Sequence, residues 1–427
     1  MRLWDKGGAL DDEVHAFTVG DDPEVDLHWA AHDLYGSAAH VRVLEAAGLL
    51  DAADAGALLG GLGVLLDEVR AGSFQISPAE EDVHTAIEAR LTARLGPVAG
   101  KIHTGRSRND QVLTALRLWM LEQIDGIEQE WRALAAAWLG FAERHADVPL
   151  TGYTHLQAAM PSSYGLWAAG YAAAALDALP LLDAARSLAD RCPLGSAAGY
   201  GTPLPLDRAL AAKLLGFSAV EAPVTTPQLT RGVVESALLG ALGAAMTILA
   251  RWAWDLVLYS SGGFALVRLP AAYTTGSSIM PQKRNPDVAE LLRARAATVR
   301  AARREIEDIV SLPGGYHRDV QLTKAPLARG VGQAREALRV AARLAAVVEP
   351  TPAPQEAALY AAAEAYRRRD QPFREAYRAV AAELAAGTFV ATPTPPPPWD
   401  ADALRSRLGG AGRASVRALA WERLIRG

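Results

Sequence analysis

From about Gln228 to Tyr259 apolar residues recur every three or four positions, with Leu238, Leu239, Leu242, Met246, Leu249 and Leu256 on one stripe. Ala241, Ala244 and Ala245 widen that stripe beyond a single face. At 1.5 Å per residue the segment makes a helix of roughly 48 Å, longer than a compact single-chain domain needs. A helix apolar on more than one side must be covered by several partners, so the pattern predicts an elongated bundle completed by homo-oligomerisation. The same period recurs at Leu116, Trp119, Met120 and Ile124, and again at Leu291, Leu292, Val299, Ile306, Ile309 and Val310. Period-two alternation is scarce, so the expected class is all-α with almost no sheet.

With 427 residues the chain exceeds one ordinary core. The expected division is an N-terminal helical domain over 1–104, a central long-helix bundle over 105–350, and a C-terminal helical domain over 351–427. The last contains the run Thr392-Pro393-Thr394-Pro395-Pro396-Pro397-Pro398, an extended tether or edge element. A net charge of -5 argues against a nucleic-acid partner. The single cysteine, Cys192, can form no internal disulfide, which fits a reducing compartment. Met1 to Lys6 lead into glycines and acids rather than an apolar run, so export is not expected and a cytoplasmic location is. Leu156 to Leu176 lacks charges, but its continuously apolar part is too short to span a bilayer and reads as a buried bundle helix.

Three distant polar segments each open into an apolar helix. The first is Lys101-Ile102-His103-Thr104-Gly105-Arg106-Ser107-Arg108-Asn109-Asp110-Gln111. Within it Ser107 and Asp110 have the spacing of a capping box, which predicts a helix start whose free amides, with Ser107, Arg108 and Asn109, can hold a carboxylate. The second is Gly152-Tyr153-Thr154-His155-Leu156-Gln157. Pro161 places a helix start nearby, so His155 is expected at a positive helix end that keeps its imidazole neutral. The third, Thr275-Gly276-Ser277-Ser278-Ile279-Met280-Pro281-Gln282-Lys283-Arg284-Asn285-Pro286, reads as a mobile loop that closes over a substrate and stops at an Asn285 cap. Read singly, these are a capped helix, a hydrogen-bonded histidine and a surface loop. His40, His84 and His103 lack metal-ligand spacing, and Gly60-Gly61-Leu62-Gly63 lacks a dinucleotide context, so no metal or other cofactor is expected.

Together the segments resemble the argininosuccinate lyase branch of the fumarase and aspartase superfamily, the third matching its signature loop. Asp33 to His40, Glu81 to His84 and Leu312 to Gln321 also fall in that family's order, and the resemblance spans about residues 15 to 390. It implies a homotetramer with shared active sites, and cleavage of argininosuccinate to fumarate and arginine by anti β-elimination, a step of arginine biosynthesis. By resemblance the catalytic set is Ser277, His155, Lys283 and Glu290. Ser107, Arg108, Asn109, Thr154, Gln157, Arg231, Asn285, Tyr316, Gln321 and Lys324 hold substrate, Arg231 as a carboxylate clamp. Ser277, as base, is chosen over Ser278 on the family pattern alone; His155 is the acid or a relay, and the reverse assignment stays open.

Two departures fall near that set: Gln157-Ala158-Ala159-Met160-Pro161 replaces the family's Gln-Arg-Ala-Gln-Pro, and Arg231-Gly232 replaces its Arg-Asp. The competing expectations are a sister lyase acting on another succinyl or aspartyl compound, such as adenylosuccinate, and an idle scaffold of the delta-crystallin type.

Overall fold

The computed structural model describes residues 11–409 and 416–426; the opening Met1 to Lys6, on which the reading of the chain start rests, lies outside them. Helices α1 (Ala30–Ala46), α2 (Ala52–Arg70) and α3 (Val83–Leu95) pack at the start of α4 (Arg108–Arg144). Then follow α5 (Tyr164–Ala189), α6 (Val233–Tyr259), α7 (Asp287–Ile309) and α8 (Lys324–Val347), which with α4 form the long bundle. After the bundle come α9 (Ala361–Arg367), α10 (Phe373–Ala386), α11 (Ala401–Leu408) and α12 (Val416–Arg426), and shorter helices such as Asp12–Val19 and Arg208–Leu215 lie in the connections.

The expected long helix is interrupted. Thr226–Leu229 forms a single turn, Gly232 adopts φ +80°, and α6 begins only at Val233. The cause is local: a Cβ at Gly232 would lie 2.4 Å from Val310 Cγ1, so only glycine lets the two strands of chain approach here. From there α6 runs 27 residues, about 40 Å of rod. Its buried Leu238, Leu239, Leu242, Met246, Leu249, Trp252 and Leu256 meet α4, α5, α7 and α8.

The expectation of almost no sheet needs amending at one place that matters. Pro149–Thr154 (β1) and Gln157–Ser163 (β2) pair as an antiparallel hairpin, with a register shift at Gly152/Tyr153. Two further two-stranded pairs, Arg191–Cys192 with Ala219–Val220 and Val267–Arg268 with Glu349–Pro350, only pin loops. Leu156 to Leu176 is therefore hairpin first and helix second. Helices α5 and α6 are each long and apolar enough to cross a membrane; here they pack against each other and against α4 and α7.

Buried polar groups set the bundle's register. Arg186 on α5 reaches Asp125 and Glu128 on α4, the latter at 3.1 Å, and Arg117 pairs with Glu221 and donates to Thr230 Oγ1 at 3.1 Å. Each cation is enclosed, and removing one partner would leave the other's charge buried and unpaired. His40 on α1 bonds the Thr104 carbonyl at 2.9 Å; burial, then Arg106, pushes its pKa down to about 3.

Residues 351–427 do not gather in one place. α9 and α10 share a small cluster of Ala365, Ala376 and Val380. α11 lies on α4 and α5, and α12 returns to α1 and α2. There Trp421 is 2% exposed, donates from Nε1 to the Leu215 carbonyl at 2.8 Å, and stacks its ring 5.3 Å from Tyr35.

Trp421→Ala should cost about 3–5 kcal/mol, the usual range for emptying a buried aromatic site. An unchanged urea midpoint would show that α12 is not part of the cooperative fold. His40 makes a second prediction. Its folded-state pKa is depressed, so the stability it lends is present above its unfolded value of 6.5 and is lost as pH falls toward about 3. His40→Gln should accordingly flatten the fall in urea midpoint between pH 6.5 and 4 relative to the parent protein.

Candidate active site

At the tip of α4 the expected reciprocal cap forms. Asn109 N–H donates to Ser107 Oγ at 3.3 Å, and Ser107 N–H donates to Asp110 Oδ1 at 3.0 Å. The other Asp110 oxygen accepts Gly195 N–H at 3.0 Å and Ala197 N–H at 2.9 Å, tying that turn to the helix tip. Burial raises the Asp110 pKa to about 6 despite these donors. Among the described residues the Asn109 side chain has no protein partner and is half-buried. Arg108 leans back instead, its guanidinium 3.3 Å from Asp82 and 3.7 Å from Glu81.

Behind this tip lies a polar shell that the sequence reading placed in family order but gave no role. His84 Nδ1 is 2.6 Å from Asp33, and Gln111 Nε2 donates to the same carboxylate at 2.9 Å. Burial opposes the His84 imidazolium, but Asp33 outweighs it and the pKa is raised. The signal lay in Asp33 and Glu81-Asp82-Val83-His84, whose charges were too dense for a buried helix start without partners.

Two expected substrate ligands already have partners within this chain. Lys324, 1% exposed, holds Asp22 and Asp26 at 2.7 Å each, and these carboxylates keep it charged against its burial. Arg231, 2% exposed, donates to the Val320 carbonyl at 2.9 Å and faces Glu235 at 3.4 Å. Both cations lie among protein groups within this chain, Lys324 between two carboxylates and Arg231 bonded through Nη2, while Arg231 Nε and Nη1 have no hydrogen-bond partner among the described residues. Tyr316 and Gln321 do adjoin one another, with Gln321 Nε2 donating to Tyr316 Oη at 3.0 Å.

His155 is not at a helix end. It forms the tip of the β1–β2 hairpin, with His155 at φ +54° and Leu156 at φ +58° as the two central residues. Successive positive φ values are the geometry of the tight turn that matches strand twist, usually filled by Asn-Gly. Non-glycine residues held there cost of order 1–3 kcal/mol each, a strain often found at functional sites. Helix α5 starts only at Tyr164, capped by Ser163, so the dipole argument for a neutral imidazole falls away. Thr154, His155 and Gln157 are all exposed, and Tyr153 anchors the hairpin edge-on to Phe264 at 5.0 Å.

The third segment is a loop closed at its base. Thr275 and Asn285 pair through backbone bonds of 3.1 and 2.8 Å, and Asn285 Nδ2 donates to the Gly276 carbonyl at 3.2 Å. Asn285 therefore ties the loop; it does not cap α7, which starts at Asp287 after Pro286. Ser277 Oγ accepts N–H bonds from Ile279 at 3.3 Å and Met280 at 3.1 Å, while Ser278 is exposed. Lys283 is exposed on the same loop. Glu290, in the first turn of α7, lines a cleft of about 940 Å³ with Arg268, Thr274, Arg284 and Glu349.

These groups fall into two sets. Thr154, His155, Gln157, Ser277, Lys283, Asn285 and Glu290 lie where α6 ends and α7 begins. Ser107, Arg108, Asn109, Arg231, Tyr316, Gln321 and Lys324 lie where α6 begins and α7 ends. The length of α6, about 40 Å, separates them within one chain.

The family described as Lyase matches residues 14–301. The argininosuccinate lyase of Sorangium cellulosum (strain So ce56) is 46% identical over 397 residues, covering 90% of this chain and 91% of its own. That of Stenotrophomonas maltophilia (strain R551-3) is 47% identical over 387 residues, covering 89% and 90%. Among solved structures, an EDDS lyase variant with bound fumarate superposes with a TM-score of 0.74 at 21% identity, over 98% of this chain and 90% of that one. A fumarate lyase:delta crystallin from Brucella melitensis gives 0.71 at 19% identity, over 95% and 91%. The structural likenesses establish the fold, and the sequence relatives, similar along almost the whole chain, establish that it belongs to the argininosuccinate lyase family.

Proposed function

We propose that this chain cleaves argininosuccinate to fumarate and arginine, with Ser277 as base and His155 as acid. The observation that carries the assignment is the Ser277 turn. Two N–H groups already point at its Oγ, and Lys283 sits on the same loop, so an alkoxide formed there would be stabilised as an oxyanion is. Ser277 removes the proton on the carbon beside a carboxylate, giving an aci-carboxylate. The carbon–nitrogen bond then breaks as His155 gives its proton to the departing guanidinium nitrogen. Loop closure would exclude water and strengthen each contact. Ser107, Asn109, Tyr316 and Gln321 are the groups left to hold substrate, with the free amides at the α4 tip receiving a carboxylate.

The reaction needs both sets of residues, and one chain holds them at opposite ends of a rigid rod. We take the working form to be a homotetramer in which the hairpin and loop end of some copies meets the α4 tip of another. Exposed apolar residues along the bundle, Leu181, Leu188, Val233, Trp254 and Leu291 among them, support such packing. A cytoplasmic location fits an assembly of this kind.

Ser277→Ala should lower turnover of argininosuccinate by roughly 100-fold to 10,000-fold with folding intact; near-parental fumarate release, followed by ultraviolet absorbance, would remove Ser277 from the mechanism. Release from adenylosuccinate but not argininosuccinate would reassign the substrate. Shared sites make a further prediction: Ser277→Ala and Asn109→Ala chains, each nearly inactive alone, should regain activity when unfolded and refolded together. Mixtures that stay as inactive as their parents would mean that each chain builds its site alone.

A further inference from the structure

We infer that Arg231 and Glu235 form a positioning latch, touching no substrate, which sets where Tyr316 and Gln321 stand. Gly232 breaks the chain ahead of α6 at φ +80°, which turns Arg231 inward. Glu235, one turn into the helix, accepts the Gly232 N–H through Oε2 at 2.7 Å and presents Oε1 to Arg231 Nε at 3.4 Å. Arg231 Nη2 then reaches across to the Val320 carbonyl at 2.9 Å. Val320 belongs to the single turn Arg318–Thr323, and Thr323 Oγ1 donates to the same carbonyl at 2.7 Å. Gln321, the next residue, carries the bond to Tyr316.

The latch is closed off from solvent: Arg231 is 2% exposed and Glu235 1%. A ligand cannot reach either charge without unpacking the turn. Val310, pressed against Gly232, fixes the other end of the segment that carries Tyr316. A glycine where the family has aspartate thus permits a close approach and leaves the N–H of that residue to be capped by Glu235. Buried charges that hold a loop act on the geometry of its neighbours.

This inference rests on the lyase reading, so the experiment begins with turnover of argininosuccinate by the parent protein; its absence counts against that reading, not against the latch. The variants are Glu235→Gln, Arg231→Gln and the double, with KM and kcat measured for argininosuccinate and inhibition constants for fumarate. A latch predicts that each single variant raises KM by about tenfold or more with a smaller fall in kcat, and that the double is no worse than the worse single. A direct clamp predicts that Arg231→Gln weakens fumarate far more than Glu235→Gln does, with effects that add in the double; that result overturns the latch. Should Arg231→Gln fail to fold, Glu235→Asp keeps both charges on a shorter arm. Its KM should rise as well, and an unchanged KM would refute the proposal.

Discussion

A helix that cannot bend governs this molecule. Helix α6 carries almost no charge, packs along α5, α7 and α8 with Trp252 touching Trp138 of α4, and keeps the two ends of the bundle about 40 Å apart. The residues expected to carry chemistry sit at one end or the other, while the buried stripe of α6 between them is apolar. Elimination from a dicarboxylate needs a base, an acid and carboxylate ligands within a few ångströms. On the proposed reading the fold supplies the parts of a site, and neighbouring copies bring them together.

The two ends are built differently. At the α4 tip, rigidity comes from reciprocal capping, from Asp33 held between His84 and Gln111, and from Asp110 tied to the Gly195 and Ala197 N–H groups. At the other end Ser277 and His155 are carried on a loop and a hairpin tip, each anchored only at its base. Under the proposed assignment, ligands on helix tips and proton-transfer groups on loop segments divide binding from closure.

Much of this was readable before any coordinates. Helical periodicity gave the bundle, and the Ser107–Asp110 spacing gave the start of α4. The hairpin was missed because Pro149 to Ser163 is short, carries two prolines and several small polar residues, and is followed by a strong helix that drew the boundary toward itself. The intramolecular pairing of Arg231 and Lys324 was hidden, since a cation beside a motif carries no mark of what lies opposite it. Their partners, Glu235 in the next turn and Asp22 and Asp26 some three hundred residues away, only come into view in three dimensions. The break at Gly232 was legible as a departure, yet its reason, contact with Val310, depends on how two helix ends cross.

The final helix has a bearing on how the chain is made. Trp421, Leu424 and Ile425 fill space between elements synthesised at the very beginning. A ribosome emitting this polypeptide releases α1 and α2 long before the piece that covers them exists. Until α12 emerges, the early domain waits with an open apolar slot, a state in which premature self-association competes with maturation and chaperone binding would be useful. Removing α12 would leave that slot permanently unfilled.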